Sequence, residues 1–312
     1  MCRGYYRPPS SLSTMLTMND RVRELLDAGG GVATSGALLK VLSRSQLDIA
    51  INRGDLLKVW TGVYTDGDVD TYTRLRGLDL RADTPVAICL DTAAAAFGFD
   101  TEGDDDLHVL NPPGHLLRQS DGLKVHRRNG APLVVVDGRR STAPAWTAVE
   151  VARGLGRPRA LATLDAALRS GTCDRRELHA AAIEQFGRRG IVHVRELIPL
   201  ADGRAESPME SEARLVMIDH GLPTPELQFV IDDLSGRRWR VDFAWPEHRL
   251  AVEYEGFDFH SSPDDLERDR HKRNALRQLD WTVMGIVAND VRRHPYEMAS
   301  GIAYELRRPL AA

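Results

Sequence analysis

Two carboxylates embedded in apolar strands constrain this chain more than any other feature. Asp242 lies in Val241-Asp242-Phe243-Ala244-Trp245, and Glu253 lies in Ala251-Val252-Glu253-Tyr254-Glu255-Gly256. A carboxylate with apolar neighbours on each side is costly unless it is paired, hydrogen-bonded or coordinated. Pro246-Glu247-His248 between them reads as a turn, so the two segments are expected to form adjacent strands carrying the carboxylates side by side. Close carboxylates suit Mg2+ or Mn2+, hard cations that prefer oxygen ligands. Such an ion polarises a phosphodiester and activates water. An ordinary pair facing solvent across a hairpin is the plainer alternative.

The flanking sequence supplies a frame for the pair. Ser207 caps a helix with Pro208 in its first turn, and that helix carries Glu210 and Glu212. Strands follow at Leu227 to Ile231, Trp239 to Trp245 and Leu250 to Tyr254. A charged helix spans Asp264 to Asp280, and a last strand and helix close the chain. The order is α-β-β-β-α-β-α. Glu210 and Glu212 also suit a helix's first turn on electrostatic grounds alone.

Helix glutamate, strand aspartate and Glu253-Tyr254-Glu255 together resemble the PD-(D/E)XK nucleases. The variant is similar to the DUF559 domain, a relative of the very-short-patch-repair (Vsr) endonucleases. Gly256, His260, the run Arg268-Asp269-Arg270-His271-Lys272-Arg273-Asn274-Ala275-Leu276, and Trp281 extend the likeness over roughly the last hundred residues. The resemblance implies a restriction-endonuclease-like domain over 207–312, with Asp242 and Glu253 holding Mg2+ or Mn2+. It also implies His260 as general base and Glu210 as a further member of the site. The chain departs from the pattern at Glu255, where many members carry lysine. A third carboxylate there adds negative charge or another metal ligand. Arg268, Arg270 and Arg273 either contact DNA phosphate or form a solvated helix face with i,i+4 partners.

The N-terminal part has its own pattern. Arg21 to Asp27 reads as a helix, broken by Gly29-Gly30-Gly31. Thr34 or Ser35 caps a second helix with Leu38, Leu39 and Leu42. Ser43 opens a third, Arg44 to Arg53, which Gly54 ends. Leu56 to Trp60, a turn at Thr61-Gly62, and Val63 to Thr65 form a hairpin. Three helices and a hairpin make a winged helix-turn-helix over 19–70, with Arg44, Arg53 and Lys58 as its candidate DNA contacts. The segments Gly31-Val32-Ala33-Thr34, Arg44-Ser45-Gln46-Leu47, Arg53-Gly54-Asp55-Leu56-Leu57 and Gly62-Val63-Tyr64 resemble the winged helix of AbiEi-type antitoxins. That family belongs to type IV toxin–antitoxin systems, and in it this domain binds promoter DNA. The likeness implies DNA and a cognate toxin as partners.

Residues 71–203 read as an α/β segment. A small-residue helix starts near Asp91. Strands are expected at Leu107 to Leu110, Leu123 to His126 and Leu133 to Val136, and helices over Pro144 to Arg153, Arg157 to Arg169 and Asp174 to Phe186. His108, His115 and His126 read as scattered surface or packing residues. Residues 1–18, rich in Pro, Ser and Tyr, are expected to be disordered. The whole is an α+β multidomain chain.

Bulk properties exclude little. Net charge is −4, only four of the 41 basic residues are lysines, and three cysteines lie far apart without zinc spacing or a disulfide framework. A cytoplasmic protein is expected, with no apolar run long enough for a membrane. The leading expectation is a DNA-binding, metal-dependent endonuclease of defence, toxin–antitoxin or repair type. The runner-up is a non-catalytic DNA-binding regulator or antitoxin retaining a degenerate nuclease fold.

Overall fold

The computed structural model describes residues 18–99, 105–114, 117–127, 130–256 and 263–308, and among these residues thirteen helices and four small sheets make up an α+β architecture. The chain divides into two compact units. One comprises Met1–Val86 with Asn111–Arg118, the other Ala87–Leu110 with Gln119–Ala312.

In the first unit the elements are α1 (Met18–Ala28), β1 (Ala33–Thr34), α2 (Ser35–Leu38), α3 (Arg44–Arg53), β2 (Leu57–Trp60), β3 (Val63–Thr65) and α4 (Thr71–Ala82). Local chemistry sets their ends. Thr34 Oγ1 accepts the Ala37 N–H at the start of α2. Ser43 and Gln46 cap each other's backbone at the start of α3, and Gly54 closes it at φ 80°. The three strands run antiparallel in the order β1-β3-β2. Leu26, Ala33, Leu38, Leu47 and Leu56 form the core. Helix α4 packs on β2, where the Trp60 indole N–H donates to Arg74 O at 2.7 Å. Gly77 lies against that indole, which leaves no room for a Cβ.

The second unit begins with α5 (Leu90–Ala96), β4 (Leu107–Leu110), β5 (Leu123–His126), β6 (Leu133–Val136) and β7 (Arg139–Thr142). Four helices follow: α6 (Pro144–Ala152), α7 (Arg157–Arg169), α8 (Arg175–Glu184) and α9 (Ile191–Leu197). His108 and His126, expected to be scattered, are stacked with ring centroids 5.0 Å apart and nitrogens at 3.1 Å. Parallel pairing of β4 with β5 puts them in neighbouring strands. His115 lies outside the described residues.

The remaining elements are α10 (Pro208–Asp219), β8 (Glu226–Asp232), β9 (Arg238–Trp245), β10 (Leu250–Tyr254), α11 (Pro263–Gln278), β11 (Thr282–Ile286), α12 (Ala288–Arg293) and α13 (Pro295–Leu306). The strands form one sheet in the order β11-β10-β9-β8, antiparallel except for the parallel β10/β11 pair that α11 connects. One face packs on α10, α12 and α13 through Phe243, Trp245, Val252, Met217 and Ile302. The other packs on α11 through Trp239, Val241, Ala251 and Leu276. Helix α10 also lies along α7, where Leu215 joins the core of the α6–α9 helices. Arg214 is buried there, donating to Asp165 Oδ2 at 2.7 Å and to Leu200 O at 2.6 Å.

Candidate functional site

The sheet gathers the expected carboxylates on its α11 side. In β10, Ala251 packs toward α11 while Val252 packs toward α10, α12 and α13, so Glu253 returns to the α11 side. The register Ala251↔Ala244 and Val252↔Phe243 brings Asp242 next in line beside Glu253. Asp242, Glu253, Tyr254, Glu255, Gly256, Asp269, Lys272 and Arg273 line one cleft.

Each carboxylate has defined partners. Asp242 Oδ2 accepts the Tyr254 backbone N–H at 2.8 Å. Glu210 is only 7% exposed, and its Oε2 accepts from Glu206 N and Gln228 Nε2, both at 2.9 Å. Glu253 Oε1 accepts from the Lys272 ammonium, which also donates to Arg240 O at 2.6 Å. Burial pushes the carboxyls of Asp242, Glu253 and Glu210 above their ordinary range. Lys272 works against this at Asp242 and Glu253, while Asp242 reinforces it at Glu210 and Glu253. Three desolvated acids therefore share one neighbourhood with a single close ammonium.

Glu255 and Glu212 have other surroundings. Glu255 Oε1 accepts from Arg273 Nη2 at 2.5 Å. Its carboxylate lies over Gly285, whose missing side chain leaves the space. Glu212 is turned away, held by Arg292 through two hydrogen bonds of 2.8 Å, with Arg159 at 3.4 Å. Of the two glutamates in the first turns of α10, only Glu210 reaches Asp242's neighbourhood.

Lys272 is a site member that sequence reasoning missed. It is visible only as one charge in the run 268–276, and a run charged on nearly every side of a helix cannot say which basic side chain points inward. Arg268 and Arg270 are exposed on α11, as is Arg273 beside the cleft. His260 lies outside the described residues. In the first unit Arg44, Arg53 and Lys58 are all exposed.

A strained residue faces the site. Gln228, in β8, has φ 53°, a region that non-glycine residues rarely occupy. Leu227 packs toward α10, α12 and α13, whereas Phe229, two residues on, packs toward α11. Val241 and Phe243 make the same exchange around Asp242 in the paired strand. The alternation of both strands thus reverses at Gln228 and Asp242, between the Leu227↔Phe243 and Phe229↔Val241 pairs.

The donor set suits a hard cation: carboxylates on adjacent strands, with a carboxamide beside them. Among the described residues no group of three or more His, Cys, Asp or Glu side chains is gathered tightly enough to hold a metal by itself. Mg2+ does not require such a cage, since one or two carboxylates, waters and substrate phosphates complete its shell. Among the described residues no helix is long and apolar enough to cross a membrane.

Comparison with known proteins adds two findings. Residues 86–200 match the family model for the AbiEi antitoxin C-terminal domain. Two relatives from Mycobacterium tuberculosis, Uncharacterized protein MT2308 (strain CDC 1551 / Oshkosh) and Uncharacterized protein Rv2248 (strain ATCC 25618 / H37Rv), are each 55% identical over 267 residues. The aligned stretch covers 86% of this chain and 98% of each relative.

Proposed function

Because the chain belongs to the family of these two mycobacterial proteins and carries a stretch matching the AbiEi antitoxin C-terminal domain, we propose that it is a DNA-binding toxin–antitoxin or defence protein with a metal-dependent, nuclease-like C-terminal part. The observation that carries the nuclease reading is the convergence of Glu210, Asp242, Glu253 and Lys272 at one end of a sheet with a parallel β10/β11 pair. That topology, with α10 before the sheet and α11 as the crossover, is the one expected of a PD-(D/E)XK domain.

Each residue then has a role. Asp242 and Glu253 hold Mg2+ or Mn2+ from neighbouring strands. Such an ion, when bound, would supply charge neutralisation at a phosphate and activation of water. Glu210 receives and orients polar groups from the α10 side. Lys272, delivered from α11, stands in for the lysine that Glu255 replaces, and its ammonium is placed to stabilise negative charge on a scissile phosphate. Arg270, Arg273 and Arg277 recur at helical spacing on α11, all exposed, and supply phosphate contacts along the approach. In the first unit α3 with the β2–β3 hairpin is read as a winged helix, with Arg44, Arg53 and Lys58 on duplex phosphate. The antitoxin likeness makes a cognate toxin a further partner.

A second reading, a regulator without catalysis, draws on one contact. The Lys272–Glu253 ion pair already neutralises a carboxylate that a cation would otherwise use. A cleavage assay separates the two. Supercoiled, linear and single-stranded DNA are incubated with Mg2+ or Mn2+ and wild type, Asp242→Asn or Lys272→Met. The nuclease reading expects metal-dependent nicking that both substitutions reduce by at least about 100-fold. Absence of nicking on every substrate, with DNA binding intact, favours the regulator.

A further inference from the structure

We propose that Gln228 is a positioning residue of the cation site, its amide NH2 clamping Glu210 and Asp242 and its buried carbonyl oxygen accepting from a water carried by the cation. The proposal rests on the nuclease-like reading above and deepens it. Three independent features meet at this residue.

The first is hydrogen bonding. Gln228 Nε2 donates to Glu210 Oε2 at 2.9 Å, and the same side chain is close enough to Asp242 to help hold that carboxyl's pKa down. A carboxamide nitrogen carries two hydrogens, enough for two carboxylates. The reversed amide would set its oxygen against the Glu210 carboxylate oxygen, so that partner assigns the orientation.

The second is the oxygen left over. Gln228 Oε1 is buried and has no hydrogen-bond partner among the described residues. Native proteins rarely keep a buried acceptor without a donor, and an ordered water or ion usually accounts for it. Asp242 and Glu253 with a hydrated Mg2+ bring water donors into this neighbourhood, because Mg2+ keeps several of its waters.

The third is backbone strain. At φ 53° a side chain is disfavoured, and such strain persists where the surrounding structure enforces it, most often at functional sites. Here it sits where β8 and β9 exchange faces together. A glycine would satisfy that backbone with less strain, yet the position carries a glutamine whose head group serves two acids.

Two variants and one probe test the idea, using the full chain. Mn2+ is titrated by calorimetry into wild type, Gln228→Met and Gln228→Glu, and each is melted in EDTA and in Mn2+. Gln228→Met, of similar length without polar atoms, is expected to weaken Mn2+ binding by about 10–100-fold, the usual cost of losing a residue that orients metal ligands. A purely structural glutamine would instead lower both melts equally and leave the Mn2+ shift unchanged, which overturns the proposal. Gln228→Glu keeps acceptor oxygens but replaces the clamp with a further negative charge. It is expected to melt below wild type in EDTA and to show a larger upward shift in Mn2+; an EDTA melt equal to wild type contradicts the clamp. Wild type that binds Mn2+ no more tightly than Gln228→Met does sinks this inference alone. Wild type that binds no Mn2+ sinks both the inference and the reading beneath it.

Discussion

At the scale of single residues, the same type does different work according to what reaches it. Glu210 and Glu212 stand two apart in α10, yet one meets Gln228 and the other is gripped by Arg292. Sequence singled out Asp242 and Glu253 because a carboxylate between apolar strand neighbours announces a cost. Lys272 and Gln228 carried no such signal, since an amide or a cation in a polar run is unremarkable until tertiary packing chooses its partner. Asp233 offers a residue-level test away from the site. Its carboxylate accepts from Ser235 Oγ and N, Arg237 N and the Trp239 indole N–H. These bonds, Ser235 foremost, hold its pKa down to about 2. The folded state thus binds this proton less tightly than the unfolded chain, whose aspartates titrate near about 3.9. The stability it contributes is present above that value and is lost as pH falls toward about 2. Asp233→Asn is therefore expected to melt below wild type at pH 6, with the gap closing across that acid window. A gap that stays constant down to pH 2 would show that the charge contributes nothing.

At the scale of elements, caps were the most readable feature. Ser43 and Gly54 bound α3, Asp174 starts α8 with a capping box, and Ser207 starts α10, each signalled by a side chain that satisfies a free helix-end amide or by a glycine at positive φ. Helix α4 and strand β7 were not read from the sequence. Thr71–Ala82 has a weak apolar stripe with Gly77 inside it, and Arg139–Thr142 is a polar strand. Both elements are defined by what they pack against. The reversal of β8 and β9 was equally hidden, because a period-2 pattern assumes one face throughout. Gly77 makes α4's dependence on packing measurable. A Cβ there would come within 2.8 Å of the Trp60 ring, which is buried and tied to Arg74 O. Overpacking of this kind costs about 1–3 kcal/mol, against roughly 1 kcal/mol that alanine gains over glycine in a helix. Gly77→Ala should lower the first unit's stability, by on the order of 1 kcal/mol. A rise in its melting temperature would mean that the indole moves freely.

At the scale of the whole molecule, sequence indicated three segments after a leading stretch, and backbone contacts give two compact units. The helices matching the antitoxin model and the four-stranded sheet share the second unit through the α7–α10 contact. Nothing in the polar stretch Arg204 to Pro208 signals that Leu215 and Arg214 beyond it reach back into the α6–α9 helices. The buried Arg214–Asp165 pair makes that joint sensitive. Arg214→Met strands a carboxylate that burial already pushes toward protonation, and breaking such a pair costs about 3–5 kcal/mol. Arg214→Met with Asp165→Leu should recover most of that loss, since apolar replacement of a whole buried pair is often neutral. A double variant as unstable as the single one would place the cost in packing instead. Unfolding followed by tryptophan fluorescence and by circular dichroism should show one shared transition for this unit.

Asp242 and Glu253 are proposed to form a cation site rather than an ordinary hairpin pair. Calorimetric titration of Mn2+ into wild type and Asp242→Asn, with melts of both in EDTA, tests it most directly. Asparagine keeps an acceptor for the Tyr254 N–H while removing one of three crowded, desolvated charges. Wild type should bind about one Mn2+ per chain, and its melt should rise by mass action. Asp242→Asn should bind none, yet melt in EDTA at or above wild type. Equal Mn2+ binding by both proteins, or no binding by wild type together with a destabilised Asp242→Asn in EDTA, would make Asp242 a structural residue and contradict the claim.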